Sequence, residues 1–127
     1  MAGAAGYQFH RGVFAHAKRP DPVAFKPDES LKRLVVLTHL ADEWNLGTII
    51  RTAAAFGTDA IMLQSNKGGD PFSRKSIRAS ATGVFKIPVY EVEDVAATLS
   101  DLKKNSGFRV IGAAIDDSSI PLRECQA

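Results

Sequence analysis

The sequence has little cysteine and no long hydrophobic run. It contains one cysteine, Cys125, in 127 residues. A single cysteine excludes an internal disulfide and a cysteine-based zinc site, and it favours a reducing compartment. The longest aliphatic run covers residues 34–37, whereas a membrane span needs about 20 residues. A signal-peptide hydrophobic stretch is also absent from the sequence. We therefore expect a cytoplasmic protein that does not enter a membrane.

Several nucleotide and metal motifs are absent as well. No two glycines are spaced G-x-G, and there is no G-x-x-x-x-G-K-[ST], H-E-x-x-H or C-x-x-C pattern. The three histidines, at positions 10, 16 and 39, do not have the spacing of helical metal ligands, so no metal site is predicted. The net charge of +2, from 16 basic and 14 acidic residues, is too small to indicate nucleic-acid binding by itself.

What is present is the composition of one soluble domain. Hydrophobic residues make up 45% and charged residues 24% of the chain, and 127 residues suffice for a single core. Residues 1–30 differ from the rest, because Arg11, Lys18 and Arg19 come before the first acid and three prolines follow within the next eight residues. We interpret 1–30 as an extended basic arm or linker and 31–127 as the folded domain. A mitochondrial presequence is the alternative, although the arm lacks serine before position 30.

Beyond the arm, strand-like and helix-like segments alternate. Continuous apolar runs are typical of strands buried on both faces of a parallel sheet. The pattern predicts strands over 33–39, 60–64, 87–92 and 108–115, and helices over 45–56, 70–80 and 93–105, the second helix beginning with Asp70 as N-cap and Pro71. Such alternation indicates an α/β fold, a Rossmann-like parallel sheet with flanking helices. Because such sheets usually have five or six strands, we expect a truncated domain with an open edge.

The turn after the first strand holds one candidate site. In open α/β sheets ligands bind beyond the carboxyl ends of the strands. Asn45 would cap the helix or hold a ligand, and Gly47 would let another backbone approach closely. Arg51 is the only charged residue between Glu43 and Asp59. The alternative interpretation is that Asn45 is an ordinary cap and that Arg51 is a solvated residue paired with an acid such as Asp42 or Asp59.

The segment after the second strand is locally basic. Four cations, Lys67, Arg74, Lys75 and Arg78, accompany the acid Asp70. Arg74 and Arg78 are four residues apart and would share a helix face. Three hydroxyl side chains lie among them and would add hydrogen bonds to phosphate oxygens: Ser73, Ser76 and Ser80. The segment is thus a candidate phosphate-binding surface, and a plain solvated helix face is the alternative.

These segments resemble the N-terminal half of a SpoU/TrmH-type RNA 2′-O-ribose methyltransferase domain of the knotted SPOUT superfamily. Asn45, Gly47 and Arg51-Thr52-Ala53 match its first motif. The continuation over 55–63 and the segments 70–75, 79–80, 83–85 and 88–89 match as well, and 9–20 resembles the stretch that precedes the catalytic domain in longer members. Two positions depart from the pattern: Glu43 stands where proline is common, and Thr82 stands where a smaller residue is usual.

The resemblance implies methyl transfer from S-adenosylmethionine to a ribose 2′-hydroxyl of rRNA or tRNA, usually by a homodimer. It implies Arg51 and Asn45 as catalytic residues. RNA contacts would come from the basic positions: Arg74, Lys75, Arg78, Lys67 and Arg11. Since a guanidinium is too basic to serve as a general base, Arg51 would act as an electrostatic clamp.

The later family motifs are absent from these 127 residues. The family's Gly-Glu-Gly-type loop and Ser-Leu-Asn segment form the knot of the α/β-knot domain and much of its cofactor site, so the sequence predicts that the C-terminal knot and most of the cofactor site are missing. Two hypotheses follow: part of an active methyltransferase, or a catalytically dead RNA-binding remnant. A third, independent of the family, is a small flavodoxin-like domain that binds a nucleotide or a protein.

Overall fold

The computed structural model describes residues 16–21, 23–28 and 30–125. Six regular elements follow one another: β1 (Leu34–Leu37), α1 (Glu43–Ala55), β2 (Ala60–Gln64), α2 (Arg74–Ala79), β3 (Val89–Val92) and α3 (Val95–Asn105). Two short 3-10 turns lie at Gly83–Phe85 and Leu122–Glu124. No helix in the described ranges is long and apolar enough to cross a membrane.

The strands form one parallel sheet in the order β1-β2-β3. Val35 lies opposite Ile61, and Met62 lies opposite Tyr90. The central strand β2 is buried over its first four residues, as its continuous apolar run predicts. The predicted α/β class with a parallel sheet and flanking helices is confirmed.

The core lies between the sheet and the inner face of α1. Leu46 and Ile50, one turn apart on α1, are fully buried against Ile61 of β2, together with Val84 and Ile87 from the segment after α2. Burial of each large aliphatic side chain contributes about 1.5–3 kcal/mol. This packing fixes the face that α1 turns to the sheet and leaves its other residues for the surface.

The start of α1 differs from the prediction. Asp42, not Asn45, is the N-cap, and its Oδ1 accepts a hydrogen bond of 2.7 Å from the backbone N–H of Asn45. Asp and Asn are about equally good caps. Because α1 begins at Glu43, an acid lies in its first turn. There the negative charge interacts favourably with the positive end of the helix dipole. Asn45 is therefore the third residue of the helix and has its side chain exposed.

Helix α2 is shorter than predicted, and its cap is also different. Ser73 caps the helix through its Oγ, which accepts from the N–H of Ser76. Asp70 instead accepts from the N–H of Phe72 at 2.9 Å, a local turn that competes with helix formation. Pro71 is buried rather than the first helical residue. The predicted start at 70–71 is wrong by about one helical turn.

The predicted fourth strand over 108–115 does not form in the structure. Phe108 donates its N–H to the carbonyl of Leu102 at 3.2 Å, and residues 109–115 carry no strand pairing and are exposed. A strand exists only through ladder hydrogen bonds to a neighbour. The segment instead runs beside β1 and α3, with a space of about 480 Å³ between them. The apolar character of residues 108–115 was therefore not enough to predict that they pair with a neighbouring strand.

The described part of the arm has neither helix nor strand. It lies along the free edge of β3, where the ring of Phe25 meets Tyr90 edge-on at 5.2 Å between centroids. Arg19 reaches Glu91 of the same strand at 3.7 Å. These side-chain contacts hold the described part of the arm beside β3, an outer strand of the sheet. The division into an arm at 1–30 and a domain at 31–127 stays a prediction.

Candidate functional site

Helices α1 and α2 meet without space between their backbones. A Cβ on Gly47 would overlap the carbonyl oxygen of Ser76 and lie 2.7 Å from the Cβ of Ala79. We call these three residues the helix seam. The close approach that the sequence predicted for Gly47 is confirmed, and the partner backbone is that of α2.

The side chain of Arg51 projects from α1 just beyond the helix seam. It is one turn after Gly47 on the same face of α1. A Cβ on Gly83 would lie 3.3 Å from the Cα of Arg51, so the 3-10 turn covers the Arg51 backbone. The side chain itself is exposed. Asp42 is occupied as a cap and Asp59 binds the backbone of β1, so within the described ranges neither acid pairs with Arg51.

Asn45 and Arg51 are not neighbours on the helix. Six residues separate them, which corresponds to about 120° around the helix axis and about 9 Å along it. No hydrogen bond joins the two side chains in the described part of the chain. The structure therefore does not support a role for Asn45 in positioning Arg51. If Asn45 binds a ligand, it does so independently of Arg51.

The cations of α2 share the outward side of the helix. Ser76 and Ala79 face α1 and are buried, which leaves Arg74 and Arg78 on the opposite side and Lys75 at the boundary. All three are exposed. We call Arg74, Lys75 and Arg78 the cationic face. The shared face predicted for Arg74 and Arg78 is consistent with this helix.

Two of the three serines are not available to phosphate. Ser76 and Ser80 have no exposed surface. The hydroxyl of Ser76 lies 2.7 Å from the carbonyl of Asp70 and 3.0 Å from that of Glu43, to which it donates. The hydroxyl of Ser80 donates to Ile77. The predicted phosphate role of Ser76 and Ser80 is therefore wrong, because their hydroxyls satisfy backbone carbonyl groups. Ser73 is half-buried and serves as the cap of α2.

Lys67 lies on a turn at the carboxyl edge of the sheet. Gly69, two residues later, donates its N–H to the carbonyl of Leu40 at 2.7 Å. A Cβ on Gly69 would lie 3.1 Å from the carbonyl oxygen of Ala41. The turn therefore packs against the residues that lead into α1, and Lys67 is exposed at that edge. Arg11, the remaining predicted RNA contact, lies outside the described residues.

Two side chains at this edge were not predicted as part of the site. Arg19 donates to Asp70 at 3.1 Å and lies over the ring of Phe72 at 5.2 Å. This contact joins residues 51 positions apart, and no local pattern signals it. Trp44 is 57% exposed beside Asn45. The only sequence signal for Trp44 is its position directly before Asn45 in the candidate turn.

Perturbed acids lie away from this edge. Asp59 accepts hydrogen bonds from the N–H groups of Arg33 at 2.7 Å and Lys32 at 2.9 Å. These bonds lower the pKa of Asp59 below its ordinary value, with a smaller contribution from the charges of the same two residues. The group ties β1 to β2 at the amino edge of the sheet. Among the described residues, no cluster of three or more potential metal ligands occurs.

Comparison with known proteins identifies the family. A sequence model described as the SpoU rRNA Methylase family matches residues 32–126. The chain belongs to the SpoU rRNA methylase family. It is 33% identical over 129 aligned positions to the 23S rRNA (guanosine-2′-O-)-methyltransferase RlmB of Acinetobacter baylyi, covering 94% of this chain and 50% of the relative. It is 31% identical to an uncharacterized tRNA/rRNA methyltransferase of Mycobacterium bovis, covering 100% of this chain and 44% of the relative.

Solved SpoU-type structures match the same region. The AdoMet-bound rRNA methyltransferase from Sinorhizobium meliloti aligns with a TM-score of 0.54 and 33% identity, over 68% of this chain and 33% of its own. A TrmH-family protein from Porphyromonas gingivalis aligns with a TM-score of 0.62 and 27% identity, over 80% and 39%. The prediction of the N-terminal half of a SpoU-type α/β domain is confirmed. The chain spans about half the length of the curated relatives it matches.

The cavity that the described residues form at the carboxyl edge of the sheet is smaller than a typical cofactor site. The cavity at the carboxyl edge, between Leu40, Gly69 and Glu91, measures about 220 Å³. Small-molecule sites usually measure about 300–1,000 Å³. The larger space beside β1 and 108–113 is lined mainly by aliphatic side chains and by no carboxylate that would bind a ribose or an ammonium group.

Proposed function

We propose that this chain supplies the RNA-facing part of an S-adenosylmethionine-dependent methyltransferase that modifies a ribose 2′-hydroxyl in rRNA or tRNA. The observation that carries the proposal is Arg51: it stands in the family motif, is exposed, and has no acid partner within the described ranges. An exposed guanidinium without an acid partner in the described ranges fits a phosphate or a developing oxyanion.

Each predicted site residue has a distinct place in this proposal. Arg51 would bind the phosphate next to the target ribose and stabilise the alkoxide that develops on the 2′-oxygen. Asn45 would hydrogen-bond the RNA separately, from the first turn of α1. The cationic face and Lys67 would bind flanking phosphates, with Arg11 of the arm as a further contact.

The methyl donor and the second copy complete the proposal. S-adenosylmethionine would supply the methyl group, and it would bind where surface beyond the described residues meets the carboxyl edge. A homodimer, as the family resemblance implies, is one source of that surface. Calorimetric titration of S-adenosylmethionine into this chain tests the assignment. We expect no detectable heat from the folded chain, whereas stoichiometric micromolar binding would show that these residues build the cofactor site themselves.

The activity is tested with two proteins. One is this chain, and the other is this chain joined to the C-terminal half of the Acinetobacter relative. Transfer of labelled methyl groups to rRNA and tRNA is measured, and the product nucleoside is identified as 2′-O-methylated. We expect transfer by the joined protein. Absence of both transfer and RNA binding in both proteins would contradict the proposal.

The clamp role of Arg51 is tested in the joined protein. Loss of a preorganised donor to an oxyanion typically reduces kcat by about 100- to 1,000-fold, and we expect this for Arg51→Ala. Lysine keeps the charge but not the two-pronged geometry, so Arg51→Lys should also be slow. A full rate for Arg51→Lys would show that bidentate contact is not required.

A second candidate function is RNA binding without catalysis. It is favoured by the small volume of the carboxyl-edge cavity and by the exposed, unpaired segment 109–115. RNA binding by this chain together with methyl transfer by the joined protein supports the first function. RNA binding without transfer in either protein supports the second.

A further inference from the structure

Trp44 is a largely exposed aromatic side chain at the start of α1. It is the only tryptophan in the chain, and 57% of it is exposed although it lies in the first turn of α1. Its neighbours on the core side, Leu46 and Ile50, are fully buried. Large aromatic side chains usually bury most of their surface. The exposed part of Trp44 therefore adds little to the stability of the described fold and is available for contact with a ligand.

One cation, Lys67, lies on a turn that packs against the residues just before Trp44. The turn over 66–69 packs on residues 40–43, since a Cβ on Gly68 would lie 3.3 Å from the carbonyl oxygen of Leu40 and one on Gly69 would lie 3.2 Å from Cγ of Glu43. This contact brings exposed Lys67 to the edge from which Trp44 projects. Asn45, the next residue, adds an exposed amide.

The two acids beside Trp44 are engaged locally. Asp42 accepts the N–H of Asn45 at 2.7 Å at the start of α1, where the helix dipole favours its negative charge. The stem of Glu43 lies against the 66–69 turn, and the residue is half-buried. The ring of Trp44 is thus exposed at the start of α1 between the capping carboxylate of Asp42 and the amide of Asn45, and the cation of Lys67 lies on the neighbouring turn.

We propose that Trp44 stacks on an unpaired nucleobase of the RNA substrate, while Lys67 binds the adjoining backbone phosphate. An exposed aromatic ring beside a cation is the usual platform for single-stranded nucleic acid, because every base has a face on which to stack. This inference rests on the proposed function and specifies it: the target segment is unpaired, and it crosses the carboxyl edge next to Asn45.

The single tryptophan gives a direct readout. A short unstructured oligoribonucleotide carrying a fluorophore is titrated with the 127-residue chain, and binding is followed by fluorescence anisotropy. A parallel titration with unlabelled oligonucleotide follows tryptophan emission. We expect emission to fall with the same midpoint as the anisotropy change, and a duplex of the same sequence to bind more weakly and quench less.

Substitutions separate stacking from general binding. Stacking on one base accounts for an affinity change of about 5- to 100-fold on replacement by alanine, and we expect this loss for Trp44→Ala and near-normal affinity for Trp44→Phe. The matched control is Phe56→Ala, because Phe56 is 77% exposed at the other end of α1. It should leave RNA affinity unchanged. Unfolding curves should be alike for wild type and Trp44→Ala.

The outcomes distinguish the two levels of the proposal. RNA binding without a change in tryptophan emission, or with equal affinity for Trp44→Ala, would overturn the stacking assignment and leave the proposed function standing. Absence of RNA binding by this chain would overturn the stacking assignment, and only the further absence of RNA binding and methyl transfer in the joined protein would overturn the proposed function. A blue shift of the emission that depends on protein concentration and not on RNA would assign Trp44 to contact with a second copy of the chain, and would overturn the stacking assignment as well.

Discussion

The helix seam and the cationic face belong to the same pair of helices but follow opposite rules. In the seam, Gly47 meets the backbone of α2 with no room for one more carbon atom, and Ser76 satisfies buried carbonyl groups. On the cationic face, Arg74, Lys75 and Arg78 are exposed. The contrast teaches that stability and RNA contact are separated by face and not by element. Substitutions in the two regions should therefore affect different measurements.

The largest effect is expected in the seam. Gly47→Ala places a Cβ against the carbonyl of Ser76 and 2.7 Å from the Cβ of Ala79, so the helices must move apart. Overpacking of this kind typically costs up to about 3 kcal/mol, and we expect a loss of this size in the free energy of unfolding, measured by denaturant titration. The matched control is Gly112→Ala, where an added Cβ meets no atom within 4 Å. Equal stability of Gly47→Ala and Gly112→Ala would contradict the conclusion that the helix seam has no room for an added Cβ.

The next effect is expected on the cationic face and concerns affinity. Each cation that binds a phosphate of single-stranded RNA contributes about 0.7 to the slope of log affinity against log salt. Arg74→Ala with Arg78→Ala should therefore flatten the slope by about 1.4, with the free energy of unfolding within about 0.5 kcal/mol of wild type. Lys103→Ala with Lys104→Ala, in the last turn of α3, removes the same charge and should not change the slope. An equal change in both double variants would remove the cationic face from the interface.

A smaller effect is expected where the two regions join. Thr82 has φ 68° and ψ 2°, a left-handed conformation that a β-branched residue rarely adopts. Such strain costs about 1–3 kcal/mol, and glycine relieves it at an entropic cost of about 1 kcal/mol. Thr82→Gly should therefore be more stable by about 1 kcal/mol in thermal unfolding, with RNA affinity unchanged. A loss of stability would show that contacts of the threonine outweigh the strain.

The smallest effect is expected at the amino edge, away from both regions. Because hydrogen bonds from Arg33 and Lys32 lower the pKa of Asp59 in the folded state, its stabilising effect is present above the unfolded pKa of about 3.9. The effect is lost as pH falls through the folded value. Asp59→Asn should show a weaker loss of stability below about pH 4 than wild type. Identical acid unfolding curves for wild type and Asp59→Asn would show that Asp59 does not contribute to stability in this way. As a control, the two proteins should bind RNA with the same affinity at neutral pH.

The sequence predicted the elements that are defined by local pattern and burial. The central strand at 60–64 was predicted with its observed bounds, because a buried apolar run between two turns has one interpretation. The ends of the helices were less accurate, because Asp42 and Asn45 are both good caps, and the choice depends on which side chains must face the sheet. Pairing of 108–115 was predicted wrongly, since a ladder requires a partner that the segment's own residues do not reveal.

The site was predictable in part for a similar reason. The close approach at Gly47 follows from a glycine in a helix that must pack. The availability of Ser76 and Ser80 was predicted wrongly, because their burial depends on a contact with the start of α1 that is 33 residues away. The Arg19 contact with Asp70 spans 51 residues and leaves no local trace. The roles of Arg51 and Asn45 remain proposals for experiment.

The most direct test measures stability and RNA affinity together for Arg51→Ala. The account places this exposed guanidinium outside the seam but in the RNA interface. It predicts a free energy of unfolding within about 0.5 kcal/mol of wild type and an affinity for unstructured RNA that is about tenfold weaker, the effect of one charge-assisted contact. Unchanged affinity, or a loss of affinity fully explained by unfolding, would contradict the separation of the two faces on which the account depends.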